Sequence, residues 1–239
     1  MATKTEFVSV VLPSYNEKGN IAEAIARVEK SLGDRLLEII VVDDNSPDLT
    51  WQVVQDLNNK KVRLIRRINE KGLASALSRG VTEAKGSVVV WMDCDLGLPP
   101  EDVPRLVAAI EQGADVAIGS RYVAGGADKR AWLRGFLSTI MNYFAMAVLS
   151  TKVHDYTSGF AAAKKTVMDD IGINPHGFGE YFVEFAYRCI KKGYNVTEVG
   201  YHYSYRKSGV SQTDKVNGRL LKYGIQYGLN IIKLRFRVK

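Results

Sequence analysis

The chain has 239 residues, 46% apolar and 25% charged, a balance that excludes a disordered or fibrous protein and leaves room for a full core. The net charge is +7, concentrated at one end: from His202 onward there are nine Lys/Arg and one acid, Asp214, so a near-neutral body carries a basic tail suited to an anionic partner. No run reaches the roughly 18 apolar residues of a spanning helix, and no apolar leader opens the sequence, so the chain reads as not integral to a membrane.

In chain order, the first half alternates strand and helix. Residues 7–12 form a strand stopped by Pro13-Ser14, and Asn20 is placed to cap a helix through Leu32, with Ile21, Ala24, Ile25, Val28 and Leu32 at helical spacing. A second strand, 37–42, ends at Asp43-Asp44-Asn45-Ser46-Pro47. A helix at 50–57, a strand at 62–65 and a helix at 73–82 follow. The apolar run 87–92 reads as a buried parallel strand that delivers Asp93-Cys94-Asp95. A helix at 101–112 and a short strand at 116–119 complete a β-α-β-α order, which predicts a mostly parallel sheet with helices on both faces.

After Arg121 the rhythm changes. Residues 123–129 are a Gly-rich loop. Residues 132–149 form a helix striped by Phe136, Leu137, Ile140, Met141, Phe144 and Val148. Residues 155–163 turn into a short strand, 182–192 are helical and 196–199 extended. The last element, 217–234, is an amphipathic helix with Leu221, Ile225, Leu229 and Ile232 on one stripe. Nothing marks a linker, so 1–239 is expected to be a single domain, with parts 1–121 and 122–216 either side of the change of rhythm and a basic tail (217–239). Cys94 and Cys189 lack zinc spacing and read as the free thiols of a cytoplasmic protein. His154, His176 and His202 form no ligand set.

The polar clusters after the first, second and fourth strands share one sheet edge, because parallel strands end on the same side, and ligands bind beyond that edge. Two carboxylates one residue apart there suit Mg²⁺ or Mn²⁺, which prefer oxygen and share their shell with substrate phosphates. The Gly-x-Gly-x-x-Gly fingerprint and the Gly-Lys-Ser/Thr phosphate loop are both absent.

Pro13-Ser-Tyr-Asn-Glu17, Val42-Asp-Asp-Asn-Ser-Pro-Asp48, Asp93-Cys-Asp-Leu-Gly-Leu-Pro-Pro-Glu101 and Gly119-Ser-Arg-Tyr122 stand in the order of family 2 glycosyltransferases with the GT-A fold. Over roughly 8–211 the chain resembles dolichyl-phosphate mannose synthases and related polyprenyl-phosphate hexosyltransferases. The resemblance implies that Pro13, Tyr15, Glu17 and Asp44 hold the nucleotide and that Asp93 and Asp95 meet the metal and diphosphate. It places Arg121 near the phosphates, Arg134 and Ser138 on the lipid phosphate, and Asp155 near the donor sugar. It also matches Arg206 to a segment that closes over the site. Glu184, one turn beyond Glu180, is expected to face the sugar hydroxyls. Where the family often carries Gln beyond the second aspartate, this sequence has Gly97, leaving that place to water.

The implied reaction is an inverting transfer of a hexose from a nucleotide diphosphate sugar to dolichyl or polyprenyl phosphate. Mannose, and so GDP-mannose, is favoured, with a UDP-hexose as the other donor. Asp95, Arg121 and Arg206 are the expected catalytic groups. A phosphate acceptor has its second pKa near 6 and arrives ionised, so it needs no general base. The two amphipathic helices and the basic tail would dock peripherally on the cytoplasmic face of a membrane. The alternatives are a soluble family 2 enzyme acting on a glycan or polysaccharide, or a non-catalytic nucleotide-sugar or nucleic-acid binding module. Nucleic acid is not the favoured partner.

Overall fold

The computed structural model describes residues 7–130, 132–177, 179–203 and 219–238, with backbone alone for 134 and for 219–226. Its strands are β1 (Val8–Ser14), β2 (Leu36–Asp43), β3 (Val62–Arg66), β4 (Val88–Trp91), β5 (Val116–Ser120), β6 (Ala127–Asp128), β7 (Ala161–Lys164), β8 (Val196–Gly200) and β9 (His202–Tyr203). Its helices are α1 (Ile21–Leu32), α2 (Thr50–Asp56), α3 (Leu73–Glu83), α4 (Val103–Glu111), α5 (Trp132–Val148), α6 (Lys165–Ile171), α7 (Glu180–Lys191) and α8 (Arg219–Arg237).

Seven strands make one sheet in the order β3-β2-β1-β4-β7-β5-β8, and β6 pairs with β9 beside it. β1 runs parallel to both neighbours, with Val10 opposite Ile39 of β2 and Val90 of β4. The order therefore reverses between β1 and β4, which opens a crevice beyond their carboxyl ends. β7 enters antiparallel between β4 and β5, with Ala162 opposite both Val90 and Ala117. Its small residues, Ala161, Ala162 and Ala163, are fully buried. That lets helices close over a strand in the middle of the sheet. A sheet of this mostly parallel kind is what the β-α rhythm predicted.

Alternation along β1 divides the core. Val8, Val10 and Leu12 pack on one face with Ile21, Ala24, Ile25 and Val28 of α1 and with α4. Val11 packs on the other with Ala74, Leu77 and Val81 of α3 and with α7. Trp91, the last residue of β4, is fully buried and meets Phe185 edge-on at 5.2 Å between ring centroids. It anchors the strand end that presents the acidic pair, and burial of a side chain of this class is worth about 1.5–3 kcal/mol.

The expected elements hold, with local differences. The helix predicted from 101 begins as a 3-10 turn over Pro100–Asp102. The Gly-rich loop contains β6, whose two residues are too few to show a period. Asn20 stands at the start of α1 but makes no side-chain cap; its amide donates to Glu17 Oε2 at 2.7 Å instead.

Candidate active site

Asp43, at the end of β2, ties the strand ends together. Its carboxylate accepts the Ser14 hydroxyl at 2.9 Å and the N–H and hydroxyl of Ser46 at 2.8 and 2.6 Å. Two turns built on left-handed asparagines follow: Asn16 has φ 61° and Asn45 has φ 54°. They raise Tyr15 and Glu17 at the rim. Tyr15 is half-buried, with the Lys71 ammonium 5.2 Å from its ring centroid. The Glu17 N–H donates to Thr50 Oγ1 at 2.9 Å. Pro13 lies deeper, and its carbonyl accepts the Cys94 thiol at 3.3 Å, stitching β1 to the Asp-Cys-Asp turn.

Asp44 is placed differently from the other rim residues. It is buried; its Oδ1 accepts both Nε and Nη2 of Arg67, and its Oδ2 accepts the Gly72 N–H at 2.7 Å. Here it secures the entry to α3.

Asp93 and Asp95 leave β4 into the crevice. Asp93 is half-buried and Asp95 is 2% exposed. Asp95 Oδ1 accepts the Gly97 N–H at 2.9 Å across Leu96, whose φ of 63° is costly for a bulky residue. The turn thus spends conformational energy to aim Asp95. Burial, then the carboxylates of Glu17, Asp93 and Asp95, push the Cys94 thiol well up, so these three acids share one neighbourhood.

The place at Gly97 is occupied by protein. A Cβ there would meet Tyr203 Oη at 2.5 Å and Asp95 Oδ1 at 3.1 Å. The phenol of β9 therefore lies where water was expected, and a glutamine would collide with it. Arg130 stacks over the Tyr203 ring at 5.3 Å.

Two hard carboxylates are present for a divalent cation. Among the described residues no three of His, Cys, Asp and Glu are grouped so as to hold a cation. Carboxylates are the donor type that Mg²⁺ and Mn²⁺ prefer, and these ions keep waters and take substrate phosphate oxygens.

Arg121, the residue after β5, forms an internal ion pair. Arg121 donates to Asp155 from its N–H, Nε and Nη2 at 3.0, 2.8 and 2.6 Å, and from Nη2 to Thr157 Oγ1 at 2.7 Å. The guanidinium is 1% exposed and the carboxylate 0%. Burial alone would lower the Arg121 pKa, but Asp155 overrides it and holds the charge. Arg121, which the resemblance places near the phosphates, is buried with its Nε and Nη2 engaged within the protein. Asp155, read as a donor-sugar contact, is its counter-ion. The Asp155 N–H donates to Glu198 Oε1 at 3.0 Å, anchoring the loop on β8.

Ser138 faces this pair from α5, with its Oγ 2.8 Å from Thr157 Oγ1. Asn142, one turn on, donates to the same oxygen at 3.2 Å. The Arg134 side chain and Arg206 lie outside the described residues. Glu184 is held elsewhere: it accepts Asn174 at 2.9 Å and Arg237 at 2.6 Å, lining a cavity of about 220 Å³ between α7 and α8. Tyr181 lines the same cavity. Burial, and then the charge of Asp93, push its phenol well above the ordinary range. Sequence reasoning missed Thr157, Asn142 and Tyr203. The pair β6–β9 that carries Tyr203 is too short to signal itself.

The model of Glycosyl transferase family 2 matches residues 9–172. The chain is 42% identical over 211 residues to a dolichol-phosphate mannosyltransferase of Pyrococcus furiosus, covering 86% of this chain and 58% of that protein. It therefore spans little more than half the length of that relative. It is 34% identical over 224 residues to the polyprenol monophosphomannose synthase of Mycolicibacterium smegmatis, covering 90% of this chain and 84% of the relative. Among solved structures, glucosyl-3-phosphoglycerate synthase from Mycobacterium tuberculosis, in complex with Mn²⁺, UDP and glucosyl-3-phosphoglycerate, superposes with a TM-score of 0.73 at 20% identity, over 95% of this chain and 80% of that one. That likeness is one of fold. The motif order, the acidic pair at the sheet crossover and the family match over most of the chain agree: it belongs to glycosyl transferase family 2.

Proposed function

We propose that this chain transfers a hexose, with mannose favoured, from a nucleotide diphosphate sugar to a polyprenyl phosphate, with inversion at the anomeric carbon. The observation that carries the reading is the pair Asp93 and Asp95 at the β1/β4 crossover, with Ser138 of α5 across the buried Arg121–Asp155 pair. The names of the two relatives support the acceptor and the sugar. GDP-mannose is the favoured donor. The Mycobacterium tuberculosis synthase was crystallised with UDP, so a UDP-hexose belongs in any test.

A divalent cation held by Asp93 and Asp95 would supply Lewis-acid stabilisation to the departing diphosphate. The chain's own work is positioning. Gly97 and Leu96 lock Asp95, and Pro13, Tyr15 and Glu17 line the nucleotide rim. The Arg121–Asp155 pair holds the loop that touches Ser138. The acceptor phosphate is a nucleophile that needs no base at neutral pH.

A membrane surface is the source of the lipid in this reading. Trp132 and Phe136 of α5 and Phe236 of α8 are 79%, 56% and 79% exposed, and Arg235 and Arg237 flank the last. No helix among the described residues is long and apolar enough to cross a membrane. Exposed apolar side chains with cations near them in the chain suit anionic headgroups.

The test is incubation with Mg²⁺ or Mn²⁺, polyprenyl phosphate and a panel of labelled GDP- and UDP-hexoses. A charged glycolipid is the expected product. Asp95→Asn should cut its formation by about a hundredfold or more, in the range of a lost electrostatic stabiliser. No glycolipid from any donor would sink the reading.

A further inference from the structure

The Thr157 hydroxyl meets four polar groups. Arg121 Nη2 donates to Thr157 Oγ1 at 2.7 Å and Asn142 Nδ2 at 3.2 Å. Ser138 Oγ lies 2.8 Å away with either oxygen able to donate, and Asp155 Oδ1 lies at 3.2 Å. A hydroxyl has two lone pairs and one proton. The guanidinium and the amide fill both lone pairs. The Asn142 amide stands with Nδ2 toward Thr157 and with Oδ1 buried without a partner.

Ser138 therefore cannot donate to Thr157, and the single Thr157 proton must be given away. Asp155 Oδ1 is the poorer taker. It is farther, and it already accepts Arg121 Nη2 at 2.6 Å and the Thr157 N–H at 3.2 Å. The proton goes to Ser138, whose own proton is then left for something outside the network.

We infer that Thr157 is a positioning residue that sets Ser138 as a hydrogen-bond donor toward the acceptor phosphate, and so favours an ionised phosphate oxygen, which can only accept. This rests on the proposed reading of Ser138 as part of the acceptor-phosphate cradle. Removing the Thr157 hydroxyl takes away the group that fixes Ser138, so its proton is no longer held toward the substrate. The substrate then loses a charge-assisted hydrogen bond.

The experiment uses the full chain, with Thr157→Val and Thr157→Ser, and varies polyprenyl phosphate and nucleotide sugar separately. Thr157→Val should raise the acceptor KM about tenfold, with kcat and donor KM within about twofold, the signature of lost ground-state binding. Thr157→Ser, which keeps the hydroxyl, should restore the wild-type value. Ser138→Ala added to Thr157→Val should raise the acceptor KM no further, because both changes delete one interaction. An unchanged acceptor KM, a Ser variant as impaired as the Val variant, or fully additive losses would each overturn the inference. Should Thr157→Val fail to fold, Thr157→Cys, with its weaker donor, takes its place; an intermediate acceptor KM supports the inference and a wild-type KM refutes it. Wild-type chain inert toward polyprenyl phosphate would bring down the acceptor reading and this inference together. Turnover on that lipid with an unmoved KM in the variants would bring down the inference alone.

Discussion

Several residues that motifs mark as ligands are engaged by the protein itself. Asp155 is fully buried and accepts three donors from Arg121. Asp44 is also buried, and its Oδ1 accepts both Nε and Nη2 of Arg67. Such pairs are costly to break from one side, because the partner charge is left stranded. Asp155→Ala should therefore lower stability by about 3–5 kcal/mol, read from denaturant unfolding. A loss well under that range would mean the pair is solvated in solution. Gly97 shows the reverse case: the absent side chain is what the structure needs. Gly97→Ala places a Cβ against the Tyr203 phenol, and overpacking of this kind costs about 1–3 kcal/mol. The thermal midpoint should fall, and Tyr203→Ala in the same chain should recover part of it.

At the scale of elements, α5 and α8 are the informative pair. The stripe read along α5 divides in the fold: Met141, Phe144 and Val148 pack on the core, while Phe136, Leu137 and Ile140 are exposed. In α8 the stripe residues Leu229 and Ile232 are 52% and 42% exposed, and Ile231 and Leu234 are buried instead. Leu221 and Ile225 have side chains outside the described residues. The periodicity was real, and part of each stripe faces outward, as a lipid surface would need. Phe136→Asp with Ile140→Asp should abolish flotation with anionic vesicles while leaving nucleotide-sugar affinity intact. Equal flotation of the double variant would place docking elsewhere on the molecule. Raised salt should weaken the wild-type interaction, since the Arg235 and Arg237 contribution is screened within about 8 Å at physiological ionic strength.

For the whole molecule, the reversal of strand order between β1 and β4 brings residues from distant parts of the chain to one crevice. Two apolar clusters on opposite faces of the sheet keep that crevice rigid. Both thiols are sealed in these clusters. Burial raises Cys94 well above the ordinary thiol range and pushes Cys189 up to about 12. The thiolate is the reactive form and stays unpopulated below that range. The native chain should thus release no chromophore from an aromatic disulfide reagent at pH 8, and two equivalents after unfolding in denaturant. Fast reaction of either thiol in the native state would mean that its cluster opens.

Much of this protein is written locally. The β-α alternation, the apolar positions of α1 and the polar clusters at strand ends follow from spacing alone, because helix and strand periods report which side chains are buried together. So does the convergence of Tyr15, Glu17, Asp93 and Asp95, since parallel strands end on one side. Tertiary structure decided what spacing cannot express. It set β7 antiparallel between β4 and β5, and it put Tyr203 over Gly97 from more than a hundred residues away. It gave Arg121 to Asp155 rather than leaving it open to solvent, and gave Glu184 to Arg237 of α8. Each of these is a long-range pairing of single groups, and the energy that selects it, the desolvation of a charge or the filling of one small space, exists only once the chain has closed around it.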